Sequence, residues 1–145
     1  MIRVKFYCEL WIKIYAGNVY LYSVKAILIV FIGGGLGSVF RYAIGTWVGN
    51  EFHTWPWASW MVNLIGSFVI GILLGWSSMG EKNQTLWLFG ATGFCGGFTT
   101  FSALSKECLV MIQNQQWMLA VLYIAGSVIG GLLCVGLGYW LIRNM

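Results

Sequence analysis

Hydrophobic residues run along this chain in four long stretches, separated by short clusters of charged and turn residues. Each stretch is too continuously apolar for the one-sided stripe of a soluble helix. The first covers residues 26–48, with Arg41 embedded near its end, and the connection 49–56 carries Glu51, His53 and the single proline, Pro56. The second covers 57–76 and closes with the polar loop 77–84; the third covers 86–112; the fourth covers 117–142 and stops at Arg143. A spanning helix needs roughly 20 apolar residues. The pattern therefore predicts an all-α membrane protein with four transmembrane helices per chain, forming one domain over residues 26–145. The third stretch is long for one regular helix and contains Gly93, Gly96 and Gly97 followed by Thr99 and Thr100, so a break in mid-membrane is expected there. Residues 1–25 are a separate N-terminal extension, in which Arg3, Lys5, Glu9 and Lys13 interrupt an aromatic run. Two readings stand for it: an amphipathic segment on the membrane surface, or an extension that the working protein does not need.

Composition sharpens this picture. Of 145 residues, 59% are hydrophobic and 8% charged, against about a quarter charged in globular proteins. That excludes a soluble enzyme, and the spread of apolar residues over the whole length leaves no soluble domain behind a cleaved signal segment. Cys8, Cys95, Cys108 and Cys134 show no metal-ligand spacing and read as small hydrophobes. The net charge of +4 comes from scattered Lys and Arg that flank the apolar runs, which fits lipid headgroups rather than nucleic acid. Arg3, Lys5, Lys13, Lys25, Lys82 and Arg143 fall on one side of the predicted topology, which places both termini in the cytoplasm. Without the extension the bias is much weaker.

Polar groups within apolar stretches are costly and need a reason. Ser59, Asn63 and Ser67 recur every four residues and share one face of the second helix. Either that face is wet or it supplies interhelical hydrogen bonds; Asn63 is the discriminating residue, because an amide is costlier to bury than a hydroxyl. In the fourth stretch Gly126, Gly130, Cys134 and Gly138 form a stripe suited to close helix packing, and Tyr123, Ser127 and Gly131 lie on the adjacent face. Gly33 and Gly37 in the first stretch read as packing too. At the third-stretch break, freed carbonyls could take a hard cation such as sodium, or the resumed helix could present amides to an anion. Phe98 and Phe101 flank that break, and an aromatic ring edge is electropositive enough to face an anion. Arg41, Lys106 and Glu107 complete the intramembrane charges.

The run GFCGGFTTFSALSKE from Gly93 to Glu107, with NLIGSF from Asn63 to Phe68 and GSVFRY from Gly37 to Tyr42, resembles the Fluc (CrcB) fluoride channels. The likeness covers about residues 26–143, in the same order and spacing. It implies a dual-topology antiparallel homodimer in the inner or plasma membrane, with two fluoride pores around a central Na+. By motif, the resemblance makes Asn63 the pore amide for fluoride, with Ser59 beside it, and Phe101 the first ring of a paired phenylalanine box. Gly96 and Thr99 would lend main-chain carbonyls to sodium, Arg41 would line a vestibule, and Glu107 would lie near the outer pore. Tyr123 and Ser127 would match a polar track, and Thr100 and Ser102 would add hydroxyls. The chain departs from the pattern at Leu104, which stands where a second box phenylalanine is usual, and at Gly131, where a hydroxyl is expected.

Fluoride is small and strongly hydrated, so a pore for it must replace water with closely spaced donors in an otherwise apolar wall. The expected function is a fluoride-selective passive channel that exports the ion and relieves its toxicity; the partners are fluoride, the lipid bilayer and a second copy of the chain. Two alternatives are a small proton-coupled multidrug-type exporter, whose acid the first helix lacks, and a non-transporting scaffold, which leaves Asn63 and the break without purpose. No nucleophile is paired with a base, so no enzyme is expected.

Overall fold

The computed structural model describes residues 24–49, 55–78 and 83–145. Expectations that concern residues 1–23, Glu51, His53 and Lys82 lie outside the described residues. Among the described residues all regular structure is helical. Helices α1 (Val24–Val48) and α2 (Trp57–Ser78) are followed by a composite element. It comprises the turn α3 (Gln84–Trp87), a π-helical segment (Leu88–Cys95) and the turn α4 (Gly96–Phe98). After two extended residues come α5 (Phe101–Gln113) and α6 (Trp117–Arg143).

Helices α1, α2 and α6, of 25, 22 and 27 residues, are each long and apolar enough to cross a membrane. At the standard rise they measure roughly 33–40 Å, against a hydrocarbon layer of about 30 Å. Their outward faces are apolar rather than charged: Phe31, Trp47, Val121 and Leu132 are all exposed. An aqueous protein would not tolerate that surface, whereas lipid requires it.

Neighbouring glycines set the order of the helices. Gly33 lies against Phe89 and Phe94, and Gly37 against Phe94 and Phe98, so α1 runs parallel to the composite element. Along α2 and α6 the pairs Trp60–Gly126, Leu64–Gly130 and Gly71–Val135 rise together, so these two helices are parallel as well. Leu73 lies beside Gly90 and Gly66 beside Thr99, which makes α2 antiparallel to the composite element. Val24, Ser78, Gln84 and Arg143 consequently share one end of the bundle, and Val48, Trp57, Gln113 and Trp117 share the other. Two interfaces are backbone on backbone. A Cβ on Gly33 would stand 2.5 Å from the Phe89 carbonyl, one on Gly93 would stand 2.9 Å from the Val30 carbonyl, and one on Gly71 would overlap the Val135 carbonyl. Lipid tails are as apolar as the helices, so close packing of this kind is what holds such elements together. The stripe expected on α6 takes part through Gly138, whose missing Cβ leaves room for the Phe68 carbonyl.

The interruption lies within the glycine–threonine run 96–100, at its two threonines. Gly96 is helical at φ −63° and ψ −36°, whereas Thr99 (φ −76°, ψ 157°) and Thr100 (φ −148°, ψ 112°) are extended. Gly97 is used instead for close approach, since a Cβ there would overlap the Gly34 carbonyl. The threonine hydroxyls bond the backbone on either side of the break. Thr99 Oγ1 donates to the Cys95 carbonyl at 2.9 Å, and Thr100 Oγ1 accepts the Ala103 N–H at 3.1 Å, capping α5. Cys95 and Cys108 are buried, as their apolar setting predicts.

Candidate functional site

The break is held open from outside by Asn63. Its Oδ1 accepts the Thr100 N–H at 2.8 Å, and its Nδ2 donates to the Thr100 carbonyl at 3.3 Å. A helix continuing through this point would have given that N–H to the carbonyl of Gly96, four residues back. Asn63 takes it instead, and the Gly96 carbonyl is left without its helical donor. Gly66, one turn further along α2, makes the approach possible, because a Cβ there would overlap Thr99 Cγ2.

Around this splice lies a groove of about 420 Å³. Its walls include Asn63, Ser67, Gly96, Thr99, Thr100, Phe101, Leu104 and Ser127. Most of the remaining lining, such as Ile70, Ala91, Ile124 and Val128, is apolar. Phe101 is 81% exposed at its rim, while Phe98, the other phenylalanine flanking the break, is only 3% exposed and stacks on Phe94 at 5.4 Å. Phe101, which the resemblance singles out, and Phe98 are thus separated by burial. Ser102 joins the group through a 3.1 Å hydrogen bond with Thr100 Oγ1. Ser127 Oγ is buried and has no hydrogen-bond partner. An unsatisfied hydroxyl costs free energy in a folded chain and calls for an explanation.

One turn closer to the Trp57 end, Glu107 of α5 receives two hydroxyls. Ser59 Oγ donates to Oε1 at 2.6 Å and Tyr123 OH donates to Oε2 at 2.7 Å, joining α2, α5 and α6 in one junction. Tyr123 is completely buried. Lys106, the sequence neighbour of Glu107, is exposed and points elsewhere, as the 100° step between adjacent helical residues requires.

The expected site residues therefore form two adjoining groups. Asn63, Gly96, Thr99, Thr100, Phe101, Ser102, Leu104 and Ser127 gather at the break and its groove, and Ser59, Glu107 and Tyr123 form the junction. Arg41 stands apart, partly buried on α1 and outside the groove lining. Sequence reasoning assigned no role to Gly66 or to the tryptophans next to Tyr123. Trp55 meets the Tyr123 ring edge-on at 5.3 Å, and Trp60 meets Trp55 at 6.1 Å. The signal was present in the segment TWPWASW, where three tryptophans crowd one helix start.

Comparison with known proteins identifies the family. The family profile described as "CrcB-like protein, Camphor Resistance (CrcB)" matches residues 28–139. A protein of Gloeobacter violaceus named fluoride-specific ion channel FluC is 44% identical over 122 residues, covering 80% of this chain and 94% of its own. A Thermus thermophilus protein of the same name is 45% identical over 118 residues, covering 81% and 93%. The Bacillus subtilis protein fluoride-specific ion channel FluC 2 is 43% identical over 118 residues, covering 80% and 86%. With the profile spanning the helices that carry both the break and the junction, and with similarity at this level over four-fifths of its length, the chain belongs to the CrcB family.

Proposed function

We propose that this protein is a fluoride-selective passive channel, not an enzyme, and that the groove at the break is the middle of the ion's route. The observation that carries the reading is the meeting, in a mostly apolar wall, of the Asn63 amide, the hydroxyls of Thr100, Ser102 and Ser127, and the exposed ring of Phe101. A hydrated halide entering such a wall must exchange water for fixed donors, and a ring edge adds an electropositive contact that chloride uses less well because its charge is more diffuse. Relatives with 43–45% identity bear the name fluoride-specific ion channel. Movement is down the electrochemical gradient, so a cell that takes in fluoride as its weak acid would lose the anion through the pore.

Four crossings per chain follow if the composite element over 84–113 counts as the third. Its parallel course beside α1, from the Ser78 end to the Trp117 end, supports this. One crossing with an internal break is tolerable only where the irregular backbone is buried in protein or faces water. The open groove and the exposed Phe101 are therefore best completed by a second copy of the chain, inserted in the opposite direction in the inner membrane. Sodium would then sit between the copies on the carbonyls of Gly96 and Thr99. The donor set suits it: Gly96 is exposed with nothing within 4 Å of a Cβ, and its carbonyl is the one that lost its donor to Asn63. Carbonyl oxygens are hard ligands of the kind a small hard cation takes. A cation bound there supplies fixed positive charge beside the route. Leu104 lines the groove in place of a second ring, leaving Phe101 as the aromatic contact of this route.

Purified protein in liposomes loaded with fluoride or chloride tests the reading. Fluoride should leave rapidly while chloride is retained, and Phe101→Ile, which keeps apolar bulk but removes the ring edge, should strongly slow fluoride. Equal loss of both halides from the wild type would refute it.

A further inference from the structure

We infer that Trp55 is a positioning residue for the fluoride route, acting through Tyr123 on the Glu107 junction. The inference rests on the proposed route passing that junction. Trp55 lies just before α2, and among the described residues its buried ring nitrogen has no hydrogen-bond partner. Its ring instead stands edge-on to Tyr123 at 5.3 Å and 79°, and edge-on to Trp60 at 6.1 Å and 79°. Trp57 closes the set against Trp60 at 5.7 Å and 83°. Below these rings Tyr123 packs with Cys108, Met111 and Ala120, so its ring is enclosed by α5 and α6 and covered by the tryptophans.

Among the described residues, Tyr123 OH is one of two hydroxyls on the Glu107 carboxylate. A phenol ring free to tilt would carry its hydroxyl off Oε2, and water would take its place. The edge-on contact removes that freedom, because a ring held by a T-shaped neighbour cannot tilt without losing the contact. Trp55 thus fixes the orientation of a donor it does not touch and keeps water from the junction at the Trp57 end. Its neighbour Trp60 is tied to α2 by the helix itself, whereas Trp55 precedes the helix and is held by one backbone hydrogen bond, from the Trp57 N–H to its carbonyl at 2.9 Å, together with its ring contacts.

The experiment measures fluoride efflux from proteoliposomes containing the full-length protein. Trp55→Leu fills most of the volume without a ring, and its efflux rate should fall by up to about tenfold, the fold-change one aromatic edge contact can carry. Trp55→Phe restores a ring edge and should stay within about twofold of wild type by the same reasoning. The decisive readout is coupling. Combined with Tyr123→Phe, which has no hydroxyl left to orient, Trp55→Leu should slow efflux no further than Tyr123→Phe does alone. Where Trp55→Leu does not accumulate in the membrane, Trp55→Met, which likewise fills volume without a ring, carries the same expectation. Additive losses, or wild-type efflux in the Leu or Met variant, would overturn the inference. Wild-type efflux in Tyr123→Phe alone would instead refute the route past the junction.

Discussion

Replacing Asn63 separates its two tasks, splicing the break and facing the ion. Asn63→Leu preserves size but strands both backbone groups of Thr100, a residue only 8% exposed. The N–H, bonded at 2.8 Å, loses its acceptor. Leaving such a donor unmet costs about 1–3 kcal/mol, and the carbonyl, held at the longer 3.3 Å, adds about 1 more. The expected loss of stability is therefore about 2–4 kcal/mol, a large share of the ~5–15 kcal/mol typical of a folded chain. Asn63→Asp behaves differently. Its carboxylate still accepts the Thr100 N–H, so roughly half of that loss is spared, but it turns a second oxygen toward the Thr100 carbonyl and places negative charge in the groove. Thermal unfolding in detergent should rank wild type above Asp and Asp above Leu, while fluoride efflux from proteoliposomes should be nearly abolished in both. A Leu variant as stable as wild type would refute the splice. An Asp variant that conducts like wild type would refute the route.

Two further predictions concern residues with opposite balances of stability and function. Ser127→Ala removes a buried hydroxyl that has no partner; it should leave stability unchanged or raise it by up to about 1 kcal/mol, while fluoride efflux falls, because an unmet hydroxyl in the groove is useful only when an ion passes. Unfolding and efflux measured on one preparation check the divergence. Gly37→Ala would drive a Cβ into the Phe94 carbonyl and should cost about 1–3 kcal/mol by overpacking, whereas Gly35→Ala, with nothing within 4 Å, should be neutral or slightly stabilising; the melting temperatures of the two variants report the difference.

The class of molecule was legible from the chain because lipid imposes one rule on every residue that faces it. Continuous apolar runs marked α1, α2 and α6 to within a few residues, and an amide recurring with two serines marked Asn63 as a residue needing a reason. The glycine spacings of α1 announced close packing, since small-residue stripes have few other uses in a membrane. Local pattern could not say which backbone each glycine meets. It also missed the π-helical turns over Leu88–Cys95, which are held where a glycine-lined α1 lies against them. The pattern could not say which residues of the run 96–100 leave the helix; Thr99 and Thr100 do, and Asn63, 37 residues earlier, takes the Thr100 N–H. The same is true of Phe98 and Phe101: alike in sequence, they were sorted by what packs around them, one stacked inside and one left open at the groove. The solvent was thus written residue by residue into the sequence. Partners for polar atoms, by contrast, are chosen across the bundle, and only the assembled helices decide them.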